Sequence, residues 1–183
     1  MEKRFTCSVL LALTVLCTSL TTNAKDNFGF PELKVGSTAS ELKVSFADPA
    51  IWDGKNIVSE MRCTRLGGKG PVSPVLNIES VPEGATSLIV FYANPAARDN
   101  HGLIRFRKNK DVNGWQIPAI RSQASDKLPK GIELFDGGNL AGKAYAAPCP
   151  TGGNWQYTVT VYALNESDNV LAVGKLVLGW VSP

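Results

Sequence analysis

Apolar residues in this chain alternate with polar ones or gather in short runs closed by Gly, Pro, Asn or Asp, which is the pattern of strands rather than of long helices. The alternation is cleanest over residues 156–164 (QYTVTVYAL). There Tyr157, Val159, Val161 and Ala163 share one face, and Thr158, Thr160 and Tyr162 share the other. Residues 87–93 and 102–107 are rich in Val, Ile, Leu, Phe and Tyr and predict the two central strands. Leu42, Val44 and Phe46 alternate with polar neighbours, so residues 41–46 predict a half-buried strand. Residues 57–63, 75–78 and 176–181 predict three more. Turns separate them at Asp48-Pro49, at Asp53-Gly54, across the cluster from Gly67 to Pro74, and at Val81-Pro82-Glu83-Gly84. Residues 94–101 (NPAARDNH) read as a polar loop between the central strands. Pro118, Pro129 and several glycines interrupt residues 115–142. A short helix is expected at 121–128, a loop at 136–139, and a short helical or turn segment at 167–173. The fold class is mainly β: an antiparallel β-sandwich with small peripheral helices.

The first residues follow another pattern. Lys3 and Arg4 precede a short apolar run from Val9 to Leu16, and Thr21-Thr22-Asn23-Ala24 is small and polar. This predicts a signal peptide over residues 1–24, cut after Ala24, and a secreted or periplasmic protein. The run is shorter than the ~20 apolar residues that span a membrane, so no transmembrane anchor is expected after cleavage. Lipid attachment at Cys17 is the weaker alternative, because bulky Leu16 precedes it. Residues 25–183 then form a single domain that opens with a tail over 25–36.

Charge and cysteine content narrow the picture further. The leader takes +1 (Lys3 and Arg4 against Glu2) from the net charge of +3 and leaves +2, too little to indicate a nucleic-acid partner. Cys63 and Cys149 remain. In an oxidising compartment they are expected to pair, with two separate buried thiols as the alternative. One histidine and no CxxC pair give no reason to expect zinc, and no other cofactor is expected.

That one histidine, His101, ends the polar loop, and a second loop, residues 145–153 (YAAPCPTGG), leads into the cleanest strand. Two motifs at these loops carry a family resemblance. The stretch GKGPVSPVLNIESVPEGATSLIVFYANPAARDNHG resembles the phosphatidylethanolamine-binding protein (PEBP) family, and more closely its bacterial, Raf-kinase-inhibitor-like branch. In that family a strand ends in DPDAP and the next begins with His-Trp. Here Asn94-Pro95-Ala96-Ala97-Arg98 and His101-Gly102 stand in those places. The second hallmark is a Tyr…GPCPP-G…His-Arg-Tyr loop running into a strand that ends YAL. It corresponds to Tyr145, Pro148-Cys149-Pro150, Gly152, Trp155-Gln156-Tyr157 and the run to Leu164. Both acids of the first motif, the aromatic after His101 and the second histidine are missing.

The resemblance implies a small pocket between the two loops for an anion such as phosphate or a phospholipid head group. Carried over by position, it would hold Asn94, Pro95, His101, Pro148, Trp155 and Tyr157, most of which can donate hydrogen bonds. With Asn94 in place of an aspartate, the pocket is expected to lack a carboxylate and His101 an acidic neighbour. Arg98 and Arg105 are expected nearby. The implied role is binding without catalysis, with inhibition of a protein partner as a sub-case. Two other readings stay open. One is a surface module for protein or glycan with a degenerate pocket. The other is a hydrolase using His101 with Ser73 and Asp99, although no GxSxG elbow is present. Plainer roles also exist, with His101 as a strand-start polar residue and Trp155 and Tyr157 as core aromatics.

Overall fold

The computed structural model describes residues 33, 35–108, 114–124, 127–135 and 144–182. The leader, most of the 25–36 tail and the expected loop at 136–139 lie outside them. Nine strands are described: β1 Val35–Glu41, β2 Lys43–Phe46, β3 Leu76–Glu79, β4 Ser87–Asn94, β5 Asp99–Arg107, β6 Trp115–Ile117, β7 Ile132–Leu134, β8 Trp155–Leu164 and β9 Val170–Val181. They form a six-stranded sheet, β1-β9-β8-β4-β5-β7, and a three-stranded sheet, β2-β3-β6. Every neighbouring pair is antiparallel except β1 and β9. No helix among the described residues is long and apolar enough to cross a membrane.

The alternating faces meet in one core. Tyr157, Val159, Val161 and Ala163 of β8 pack with Leu88, Val90 and Tyr92 of β4 and with Leu76, Ile78 and Ile117 of the small sheet. Each such side chain contributes roughly 1.5–3 kcal/mol of burial. The outer face of the large sheet carries a smaller cluster of Ile89, Leu103 and Leu164, flanked by Phe91, Phe135 and Tyr162. That second covered face explains why β4 reads as an almost unbroken apolar run.

Several expected elements change. Residues 57–63 are not a strand. After Ile57 N–H donates to the Trp180 carbonyl at 2.9 Å, the chain winds into two short 3-10 turns, Ser59–Met61 and Thr64–Leu66. Among the described residues of 121–128 there is no helix. Arg121 bridges to Val72, and a turn follows. The helical or turn segment at 167–173 is only a turn, built on Asn165 Oδ1, which accepts from Ser167 N–H and Asn169 N–H at 3.0 Å each; β9 begins at Val170. Val35 and Gly36 belong to β1 rather than to a tail. Cys63 and Cys149 are joined in a disulfide, with Cα atoms 5.2 Å apart across 86 residues. In the chain-entropy view a closure of that length stabilises by about 4 kcal/mol.

The loop expected at 94–101 shrinks to a turn at residues 95–98, because β4 runs on to Asn94 and β5 starts at Asp99. Tyr92 pairs with Gly102 and Ala93 with Asn100, so His101 is the extra residue of a β-bulge. Asn100 Oδ1 accepts from Gly102 N–H at 2.8 Å and closes the bulge. Gly102 has φ +143°, and a Cβ there would lie 2.3 Å from the Ala144 carbonyl oxygen and 2.9 Å from Tyr145 Cα. No side chain fits against that backbone as it lies here. Gly102→Ala is expected to cost about 2–4 kcal/mol. Urea unfolding measures this, and a loss below about 0.5 kcal/mol would contradict the close crossing.

Tyrosine burial gives a second expectation. Tyr92 and Tyr145 meet edge to face at 5.0 Å, and among the described residues neither hydroxyl has a partner at hydrogen-bond distance and geometry. Burial pushes the Tyr92 phenol up to about 12 and raises those of Tyr145, Tyr157 and Tyr162. Folding therefore favours the protonated phenols. This contribution is complete below about pH 10, the unfolded value, and is lost as pH rises through the folded values. The native protein should show little of the phenolate absorbance that the urea-unfolded chain shows near pH ~10, and stability should fall from there toward pH ~12. Matching absorbance titrations of the two states would overturn this.

Candidate functional site

Strands β8, β4 and β5 lie side by side, and their ends coincide at one rim of the large sheet. Asn94 ends β4 opposite Asp99, which opens β5, while Ala93 pairs with Thr158 near the start of β8. The 144–151 segment passes over these ends and is tied at several points. Ala146 N–H donates to the His101 carbonyl at 2.6 Å, and Cys63 N–H donates to the Pro148 carbonyl at 2.9 Å. The disulfide fixes Cys149. Arg65 Nη2 donates to the carbonyls of Cys149 at 3.0 Å and Pro150 at 2.7 Å. Between segment and rim lies a cleft of about 160 Å³ whose walls include Asn94, Asp99, Cys149, Thr151, Trp155 and Tyr157.

The bulge turns His101 toward Tyr157, and the two rings meet edge to face, 4.9 Å between centroids. Both ring nitrogens of His101 face oxygens. Nδ1 lies 3.0 Å from the Ala146 carbonyl, and Nε2 lies 3.2 Å from Asp99 Oδ2. A carbonyl only accepts, so Nδ1 carries the hydrogen. A hydrogen on Nε2 as well makes the second contact a charge-assisted pair. The His101 side chain is 9% exposed and that of Asp99 is 55% exposed, so the carboxylate stands at the mouth and the ring behind it. Burial raises the Tyr157 phenol. Hydrogen bonding from the Asn94 side chain and the Cys149 backbone works the other way, and the Asp99 charge adds to the rise.

The six residues expected in the pocket are not all brought together. Asn94, Trp155 and Tyr157 line the cleft, and His101 backs it through Tyr157 and Asp99. Pro95 lies exposed on the 95–98 turn, and Pro148 is buried with its carbonyl bound to Cys63; neither lines the cleft. The Trp155 indole N–H is spent on the Gly152 carbonyl, so the ring offers the cleft a face rather than a donor.

The expected electrostatics need two corrections. The cleft does hold a carboxylate, and His101 does have an acidic neighbour: Asp99, across the hairpin from Asn94. Arg105 is not near the site. It shares the outer face of β5 with Leu103, stacks 5.0 Å over Phe135 and donates to both Asp168 oxygens at 2.9 Å. The hydrogen bonds from Arg105 hold the Asp168 carboxyl below the usual range. Ser73 is buried, and its Oγ accepts from Ile120 N–H at 3.0 Å, while both His101 nitrogens are engaged elsewhere. Thr151 escaped the sequence reading, and Asp99 entered it only as a partner of His101 in the hydrolase alternative, not as a wall of the binding cleft. The usable signal was the two-residue spacing of Asp99 and His101, which a loop assignment hides and a strand reveals.

Comparison with known proteins agrees with this architecture. A family model described as Phosphatidylethanolamine-binding protein matches residues 47–180. A search of curated proteins finds no match. Among solved structures, Escherichia coli YbcL, described as a member of the mammalian PEBP family, superposes with a TM-score of 0.55 at 21% identity, over 79% of this chain and 99% of that one. A PEBP homologue from Chlamydia trachomatis, CT736, has 18% identity over 79% of this chain and 99% of its own, with a TM-score of 0.47. With a family match that takes in β3 to β8, most of β9 and both loops of the cleft, the chain belongs to the phosphatidylethanolamine-binding protein family.

Proposed function

We propose that this chain is an exported, non-catalytic binding protein whose cleft takes a small oxyanion, phosphate or the phosphate of a phospholipid head group. One observation carries the reading: an exposed carboxylate oxygen, that of Asp99, rests 3.2 Å from the Nε2 of a nearly buried histidine. A ligand oxyanion can take that oxygen's place once Asp99 swings into solvent. Tyr157 O–H and Thr151 O–H then stand as further donors in the wall. The hydrolase reading is the weaker one, because Ser73 is buried and bonded to the backbone.

Export is supported by the leader pattern of residues 1–24 and by the Cys63–Cys149 disulfide, a bond that persists in oxidising compartments. Mass spectrometry of protein recovered from outside the cytoplasm should find a chain that starts at Lys25 with no free thiol. An uncut chain, or two free thiols, would sink the export proposal.

The cleft is tested by following the Trp155 indole and Tyr157 signals by NMR during titration with phosphate and phosphoethanolamine. His101→Ala should weaken binding about tenfold or more, as loss of a charge-assisted donor does. Asp99→Asn should strengthen it several-fold, since it removes the competing charge. Cleft signals that stay still in the unaltered protein would end the reading and favour a module whose pocket is degenerate.

A further inference from the structure

The 144–151 segment has a second edge. Away from His101, Ala147 N–H donates to Ser122 Oγ at 2.9 Å, and the Tyr145 carbonyl accepts from Gln123 N–H at 2.9 Å. On that side lie two hollows of about 410 and 330 Å³ that share Arg121, Ser122 and Gln123. The first adds Lys127. The second runs past Cys63, Thr64, Gly70 and Pro71. The disulfide is a partition, with Cys149 in the wall of the cleft and Cys63 in the wall of this groove.

The charges of the two sites are opposite. Among the described residues, the cleft is lined by the Asp99 carboxylate and by no Lys or Arg, whereas the groove is lined by Arg121 and Lys127 and by no carboxylate. Three arginines elsewhere are spent: Arg65 on two carbonyls, Arg105 on Asp168, Arg107 on Glu133. The side chains of Arg121 and Lys127 make no hydrogen bond or ion pair with any described residue. Their surroundings are fixed by backbone. Ser122 N–H donates to the Pro71 carbonyl at 2.8 Å, and Arg121 is bridged to Val72. Ser122 Oγ accepts from Ala147, which leaves its own hydrogen free to donate.

We propose that this groove is a second binding site, for a phosphomonoester that carries an uncharged organic group. The dianionic phosphate lies between Arg121 and Lys127 with Ser122 O–H as a third donor. Two cations match its charge, and the Arg fork suits its oxygens. The organic group follows the uncharged arm past Gly70, Pro71 and the disulfide. The phosphate needs no protein group to leave first, unlike an anion entering the cleft, so the site stands independently of the cleft's ligand.

The test is an NMR titration of the purified protein with phenyl phosphate and with inorganic phosphate, read at the amides of Thr64, Gly70, Ser122 and Gln123. Phenyl phosphate should shift these signals and bind more tightly than phosphate. The double variant Arg121→Ala, Lys127→Ala, altered only at exposed side chains, should weaken binding about tenfold or more, while His101→Ala leaves it unchanged. A third arm adds phosphatidylcholine vesicles with and without phosphatidic acid. Sedimentation with the acidic vesicles that is lost in the double variant identifies a lipid source. Groove shifts with phenyl phosphate but no sedimentation identify a soluble one. Shifts confined to the Trp155 and Tyr157 signals, equal affinity for phosphate and phenyl phosphate, or undiminished binding by the double variant would each overturn the proposal.

Discussion

The close crossing of two backbones at Gly102 is the constraint on which the rest of the site depends. The 144–151 segment can reach the ends of β4, β5 and β8 only because position 102 carries no side chain. That approach lets Ala146 engage both the carbonyl and the ring of His101. Two local devices support it. The bulge shifts the register so that His101 is turned to the rim, and the Asn100 side chain caps the displaced Gly102 amide. The disulfide and Arg65 then hold the far half of the segment, so one short stretch of chain has its position determined from both ends.

How much of this could be read from the sequence depends on where the determining contact lies. Strands β4, β5 and β8 were legible because burial alternates along them, and that alternation is written in the residue order itself. Strands β6 and β7 were not. Three residues cannot display a period, and each exists because of a partner far along the chain, Leu76–Ile78 for β6 and Ile104–Phe106 for β7. The stretch at 57–63 looks like a strand by composition, yet the disulfide at its end and the turn at its start wind it into 3-10 geometry. In each failure a long-range contact overrode a local preference.

The candidate site divides in the same way. That Asn94, His101, Trp155 and Tyr157 would gather was legible from the two loops, because the family resemblance supplied the long-range contact that the residues alone do not. Pro95 and Pro148 occupy matching motif positions but do not reach the cleft. The arrangement of charge was illegible, since it depends on register: only the pairing of Asn94 with Asp99 shows which acid faces the histidine.

That pairing bears on what the missing motif acid means. Asn94 is 3% exposed, so a carboxylate at that position would be cut off from water beside the Tyr157 hydroxyl and would need a cation or several donors to stay charged. At position 99 the charge reaches the same histidine from the rim, 55% exposed and solvated on its outer side. The exchange keeps an acid against the ring and moves it from a fixed, buried seat to a movable one. A buried carboxylate would be a permanent part of the wall. A rim carboxylate can yield its place at Nε2, because water compensates it when it leaves. The loss of the motif's letters and the survival of an acid–histidine contact are therefore compatible, and the difference between the two arrangements lies in how readily the acid gives way.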